Sequence, residues 1–333
     1  MTPAADVPLL MIAFNRPEKT ERVLAAVRAL APRRLYVAVD GPRPDRPGEA
    51  ERCARTRQVF EGVDWPCEVR TLFRESNLGC KRGVETAIDW FLADVDAGII
   101  LEDDCVPAGD FFPFCAELLE RYRDTPEVLM ISGHNSLGTW KGDGASYVFS
   151  RTTPIWGWAT WRRAWALYDP AMSRWPDPDA RALVRARMPA AEFRITEQRF
   201  DSVYTGRRDT WDFAWAFAML IAGGYSVIPA RNLVTNIGFD HQATHTVRPS
   251  PHETNVPTHR LVFPLEHPAS VEPDGDFEHA LFRHRFPLAR RLVTTLSPRI
   301  QAGLGTAIRR VVRALPRAPA RASRTPPTDS GAL

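Results

Sequence analysis

An α/β architecture, with a mostly parallel sheet flanked by helices, is expected of this chain on two observations. Short apolar runs of strand length recur early, at Leu9 to Phe14, Leu35 to Val39, Val69 to Phe73 and Gly98 to Leu101, and segments with apolar residues at helical spacing lie between them. Three of the runs are apolar at nearly every position rather than at every second one, while Val69 to Phe73 carries Arg70 and Thr71. That pattern marks strands buried on both faces, the setting of a parallel sheet covered by helices.

The first run is followed at once by Asn15-Arg16-Pro17. Pro17 suits the first turn of a helix whose apolar face is Val23, Leu24, Val27 and Leu30. After the second run, Gly48 to Phe60 suits a helix, and after the third, Val84, Ile88, Phe91 and Leu92 give another helical face. Beyond the fourth the pattern loosens. Val128 to Ser132, Tyr147 to Ser150 and Tyr225 to Ile228 read as strands, and Trp211 to Ala222 as a helix closed by Gly223-Gly224. The stretch Trp156 to Trp165 is dense in aromatic residues.

From residue 284 the composition turns arginine-rich with a single acid, Asp329. Three regions follow: a main α/β domain over 1–283, a basic amphipathic extension over 284–316 and a disordered tail over 317–333. In the extension Ile300, Leu304, Ile308, Val311, Val312 and Leu315 keep helical spacing, with Arg309, Arg310 and Arg313 among the polar positions. Such a helix either docks at the inner membrane face as a peripheral contact or packs on the main domain with its arginines in water.

With 44% hydrophobic and 25% charged residues, the 333-residue chain can bury a sizeable core. A net charge of +3 is too near neutral for a nucleic-acid footprint, so no nucleic acid is expected as partner. The five cysteines, Cys53, Cys67, Cys80, Cys105 and Cys115, are odd in number and form no CxxC pair, which favours reduced thiols and a cytoplasmic location. Neither a signal-peptide pattern nor an apolar stretch of ~20 residues is expected from any window.

In open parallel sheets, ligands bind beyond the carboxyl ends of the strands. Three of those ends carry polar residues: Asn15-Arg16, Asp40 and Glu102-Asp103-Asp104. Adjacent carboxylates repel, and a divalent cation bound through their oxygens relieves the repulsion while offering a hold for the phosphates of a nucleotide. A solvated turn ahead of the helix at Phe111 would use the same letters. Asp212, opening an apolar helix, suits either a general base for an acceptor hydroxyl or a cap for free N–H groups. In Trp156-Gly157-Trp158, aromatic faces suit sugar rings and glycine permits close approach, while a core cluster would explain the same residues.

Glu102-Asp103-Asp104, followed by Val106-Pro107 and Asp110-Phe111-Phe112, resembles the DxD-type motif of GT-A glycosyltransferases, in the form used by N-acetylglucosaminyltransferase I and bacterial family-2-like enzymes. Pro8 to Arg16, Val37 to Gly41, and Asn77-Leu78-Gly79 with Lys81-Arg82-Gly83 are similar to other parts of that family, over roughly residues 8 to 245. The resemblance implies a GT-A, Rossmann-like fold and a metal-dependent hexosyltransferase using a nucleotide-sugar donor, UDP-linked by preference. Asp104 would ligate Mn²⁺ or Mg²⁺, Glu102 and Asp103 would contact donor sugar or ribose, and Asp40 would accept from uracil. Phe14, Asn15 and Arg16 would wall the nucleotide, and Lys81 and Arg82 would lie near base or diphosphate unless they are a solvated helix end.

Asp212 would be the general base in its Trp211-Asp212 setting, and Gly157 and Trp158 would flank donor and acceptor. A glycine and a histidine follow in the family; Gly238, His241 and His245 stand in that region, with His245 preferred as the metal-binding one. Single displacement would invert the anomeric configuration. The acceptor would be a saccharide or lipid-linked molecule in cell-surface polysaccharide or glycolipid synthesis. Two rivals remain: a sugar-phosphate nucleotidylyltransferase, which would open with a Gly-rich loop where this chain has Asn15-Arg16-Pro17, and a non-catalytic carbohydrate- or partner-binding protein descended from such enzymes.

Overall fold

The computed structural model describes residues 3–140, 144–239 and 255–286. Strands β1 (Leu9–Ala13), β2 (Arg34–Val39), β3 (Glu68–Phe73) and β4 (Ala97–Glu102) alternate with helices α1 (Pro17–Leu30), α2 (Glu49–Val59) and α3 (Gly79–Asp94). Every residue of β1 is buried, as are five of the six in β2, in keeping with their unbroken apolar runs. Pro17 sits in the first turn of α1, where its missing N–H costs nothing, and Ala31 ends the helix in the left-handed conformation.

Downstream come β5 (Cys105–Pro107), α4 (Phe111–Arg121), β6 (Val128–Ser132), β7 (Tyr147–Ser150), β8 (Trp158–Trp161) and α5 (Arg162–Trp165). Then follow α6 (Pro178–Ala186), α7 (Ala190–Tyr204), α8 (Asp212–Ala222), β9 (Tyr225–Pro229), β10 (Val234–Asn236) and α9 (Gly275–Arg285). Eight strands form one sheet in the order β3-β2-β1-β4-β8-β6-β9-β7, and β10 pairs with β5 in a small second one. Within the large sheet only β7 and β8 run against the other six. The expected α/β class, with a mostly parallel sheet flanked by helices, is therefore the one the chain adopts.

Strand order places the site. The chain steps outward from β1 to β2 to β3 and then returns to lay β4 on the other side of β1. Right-handed crossovers put α1 and α2 on one face of the sheet and α3 on the opposite one. The order reverses between β1 and β4, which opens a crevice at their carboxyl ends. Ile12 pairs with Glu102 there, so Phe14 to Arg16 and Glu102 to Asp104 emerge side by side.

The main core extends along the whole sheet, and a second cluster around Met172, Trp175, Phe200 and Phe217 is enclosed by α6, α7 and α8. Four indoles, Trp158, Trp165, Trp211 and Trp215, join α8 to the sheet, with Trp158 stacked on Trp211 at 5.7 Å between centroids. At the far edge, Phe277 and Leu281 of α9 pack on Val148 and Ile228.

Several elements escaped the periodicity reading. β8 lies inside the aromatic-rich stretch, where all four positions are buried and no alternation shows. β5 and β10 are three residues each, too short for any pattern. The boundary expected at residue 284 falls within α9, which continues to Arg285. The rest of the 284–316 extension, the 317–333 tail, His241 and His245 lie outside the described residues. Among the described residues, no helix is long and apolar enough to cross a membrane.

Candidate active site

A cleft of about 520 Å³ lies at the carboxyl ends of β1, β2 and β4. Its inner wall is an apolar slot in which Ala13, Val39, Leu72 and Val84 flank Asp40 at the end of β2. Asp40 accepts hydrogen bonds from the Gly41 and Leu78 amides and from Asn77 Nδ2, at 2.9–3.1 Å. The carboxylate thus anchors the loop that opens α3. Burial pushes its pKa up, and the Leu78 and Gly41 amides with the charge of Arg74 pull it part of the way back. Gly41 is required by space, because a Cβ there would lie 2.5 Å from the backbone of Ser76.

Phe14 lines the slot, with the Arg43 guanidinium 5.5 Å from its ring centroid. Arg43 is held by the buried Glu49, whose carboxylate accepts from the Arg43 amide at 2.8 Å and from its Nε at 3.0 Å. That partner keeps the Glu49 pKa below the usual range. Asn15 donates to the same Glu49 at 2.9 Å and is not among the residues lining the cleft.

The acid triplet forms the floor. Arg16 is its counter-charge: the guanidinium pairs with both oxygens of Asp103 and reaches Asp104 Oδ2 at 2.8 Å. Burial opposes the charge on Arg16, but Asp103 and Asp104 outweigh it and raise its pKa. One guanidinium does not balance three carboxylates. Burial first, and then the charges of Asp104 and Asp103, hold Glu102 well above the usual carboxylate range. Asp103 is raised too, chiefly by burial.

The short β5–β10 pairing brings Asn236 to Gly238 against the triplet. Ile237 N donates to the Asp104 carbonyl at 2.8 Å, and Asn236 Nδ2 donates to Asp104 Oδ1 at 3.3 Å. A Cβ on Gly238 would lie 2.1 Å from Asp104 Oδ2, so the carboxylate occupies the space that a side chain would fill.

The outer wall carries Trp156, Phe239, Asp209, Thr210, Trp211 and Asp212. Asp212 opens α8, and the Thr210 hydroxyl donates to its Oδ1. Trp156 stands edge-on between the rings of His134 and Phe239, with centroids 4.6 and 5.3 Å away.

Comparison with known proteins adds likenesses at low identity. No protein-family model and no curated protein matches the chain. Among solved structures, apo mouse xyloside xylosyltransferase 1 is similar over 65% of this chain and 81% of its own, at 10% identity and a TM-score of 0.36. A cytidylyltransferase from Leptospira borgpetersenii is similar over 48% of this chain at 9% identity and a TM-score of 0.31, and the match spans about 62% of its length. The 4-diphosphocytidyl-2C-methyl-D-erythritol synthase of Anaerococcus prevotii is similar over 49% of this chain and 75% of its own, at 11% identity and a TM-score of 0.29.

Of the residues singled out in the sequence, the cleft gathers Phe14, Arg16, Asp40, Glu102, Asp103, Asp104, Trp211 and Asp212. Lys81, Arg82, Gly157 and Trp158 are not among its lining residues. Lys81 donates to the Pro170 carbonyl, Arg82 is exposed, and Trp158 is 1% exposed inside the indole cluster. Gly157, at φ +65°, lets the chain pass Val234, whose Cγ2 would be 2.8 Å from a Cβ. Trp156, one of the two tryptophans flanking Gly157, does line the cleft, whereas Arg43, Arg74 and Asn236 were not anticipated and carried no local signal.

Among the described residues, no three His, Cys, Asp or Glu side chains are grouped as a ready metal site. The donor set nonetheless fits a hard divalent cation, because carboxylate oxygens converge on the cleft and such ions take further ligands from phosphate and water.

Proposed function

We propose that the chain is a metal-dependent GT-A glycosyltransferase that moves a sugar from a nucleotide-sugar donor, UDP-linked by preference, onto an acceptor hydroxyl with inversion. One observation carries the reading: a single cleft joins the Asp40 slot, the carboxylate floor and Asp212 on the opposite wall. A nucleobase fits the apolar slot, the diphosphate lies over the floor, and the acceptor enters beside Asp212.

Asp212 takes the acceptor proton as the new bond forms, with the Thr210 hydroxyl fixing its orientation. Trp156 offers an aromatic face to a sugar ring, and with Phe239 it limits water at the reacting carbon. Asp104 would hold the Mn²⁺ or Mg²⁺, together with a histidine outside the described residues, His245 by preference. Bound there, the ion would neutralise charge on the departing nucleoside diphosphate. Glu102 and Asp103 would face donor sugar and ribose. The acceptor is read as a saccharide or lipid-linked molecule, with the arginine-rich tail bringing the enzyme to an anionic membrane face.

Calorimetry against a panel of nucleotide sugars with Mn²⁺ tests the reading on the wild type and Asp104→Ala. Metal-dependent binding of one sugar nucleotide, lost in the variant, is the expected result. Binding of none would favour a non-catalytic carbohydrate-binding role. Pyrophosphate release from a sugar 1-phosphate and a nucleoside triphosphate would mark a nucleotidylyltransferase.

A further inference from the structure

Arg16 carries an inference that rests on the glycosyltransferase reading and goes beyond it. We propose that the Arg16 guanidinium competes with the divalent cation for Asp104, so that metal and nucleoside diphosphate bind as a thermodynamically coupled pair.

The guanidinium holds two carboxylates at once, Asp103 through both oxygens and Asp104 through Oδ2 at 2.8 Å. Asp104 Oδ2 is also the oxygen that projects into the space left by Gly238. Its other oxygen is engaged by Asn236 Nδ2 at 3.3 Å and by the Cys105 thiol at 3.5 Å. A cation approaching Asp104 from the cleft therefore meets the oxygen that Arg16 already occupies. Two positive charges share that position at a cost, because like charges a few ångströms apart in a partly buried site repel strongly.

The backbone of Arg16 cannot drift away to relieve the conflict. It caps α1, and its carbonyl accepts from Lys19 N, Thr20 N and Thr20 Oγ1 at 2.9–3.1 Å. Only the side chain can move. A planar guanidinium displaced from Asp104 needs a new anionic partner, and phosphate oxygens match its fork. A nucleoside diphosphate over the carboxylate floor supplies that partner, so its arrival frees Asp104. Linkage makes the effect reciprocal: each ligand strengthens the other through the same side chain.

The test uses the full chain and reads Mn²⁺ affinity by electron paramagnetic resonance, with and without saturating UDP, in the wild type, Arg16→Gln and Arg16→Lys. Arg16→Gln is expected to bind Mn²⁺ alone more tightly than the wild type, by about 5- to 150-fold, the ordinary range of coupling between sites. The gain in Mn²⁺ affinity on adding UDP shrinks in the same variant by a similar factor. Arg16→Lys keeps one charge without the fork and falls between the two, which separates charge competition from a folding defect. Mn²⁺ binding to Arg16→Gln that is equal to or weaker than wild type, while the wild type binds Mn²⁺ with UDP, overturns the coupling and leaves the enzyme reading standing. No Mn²⁺ binding by the wild type under either condition overturns both.

Discussion

Replacing Gly238 by alanine tests the floor of the cleft at the smallest scale available, one methyl group. The added Cβ would lie 2.1 Å from Asp104 Oδ2, 2.8 Å from its Cγ and 3.0 Å from Asn236 Oδ1. Ordinary contact begins at about 3.5 Å, so the nearest oxygen must retreat by more than 1 Å. It is not free to do so, because Arg16 and Asn236 hold the same carboxylate and Ile237 N holds the carbonyl of Asp104. The strain of such overpacking is about 1–3 kcal/mol. A displacement of 1 Å at a ligand or reacting group costs on the order of 100-fold in rate. Gly238→Ala should therefore lower kcat/KM for nucleotide-sugar turnover about 100-fold and weaken Mn²⁺ binding, while the melting temperature falls by only a few degrees. Titration of activity against Mn²⁺, paired with thermal unfolding, reads both effects. Wild-type turnover at wild-type Mn²⁺ concentrations would refute the placement of Asp104 as the metal-holding group.

Asp212→Asn keeps the shape of the side chain and removes its basicity, so kcat should fall about 10²- to 10⁴-fold with donor affinity unchanged, as single-turnover kinetics and calorimetry together would read. Trp156→Ala removes the aromatic face at the acceptor side and should raise acceptor KM about 2- to 10-fold with donor KM held, measured by steady-state kinetics over both substrates. His134 is buried, and burial is the main reason its pKa lies at about 4, below the ordinary 6.5. The unfolded chain then takes up the proton first, so stability should decline as pH falls from about 6.5 towards about 4, by up to ~3 kcal/mol. Urea unfolding across that range should show the decline, and His134→Gln should flatten it.

What was legible in the sequence was local. Pro17 at the first turn of α1, the buried run of β1 and the strand running into Glu102 are each decided within a few residues, and each is where the pattern puts it. Lys81 and Arg82 show the limit of adjacency. Gly79, Cys80, Gly83, Val84 and Ala87 line the cleft along one face of α3, and Lys81 and Arg82 fall on the rest of the turn, away from that face. Trp156 and Trp158 show a second limit. Two residues apart in a strand they would share a face, but Gly157 at φ +65° breaks the alternation just before β8 begins. Trp156 reaches the cleft and Trp158 the core. Asn15, between two lining residues, turns to Glu49 instead.

The rest was illegible because it depends on pairings between distant parts of the chain. Arg16 and Asp103 are 87 residues apart and meet only because β1 and β4 are neighbours. Asn236 lies 132 residues beyond Asp104 and reaches it through two three-residue strands that no periodicity reveals. The consequence is mechanical as well as informational. Asp104 bonds at once to Arg16 and to Asn236 and Ile237, which lead directly into Gly238 and Phe239 of the outer wall. The two walls therefore share one carboxylate as a common support. A change at Asn236 or Gly238 therefore reaches Arg16 through Asp104, whereas Thr210 and Asp212, at the start of α8, make no bond to that carboxylate that would carry a change across. On the glycosyltransferase reading, substitutions on the outer wall should thus separate into two classes by their effect on nucleotide affinity, with Asn236 and Gly238 in one and Thr210 and Asp212 in the other.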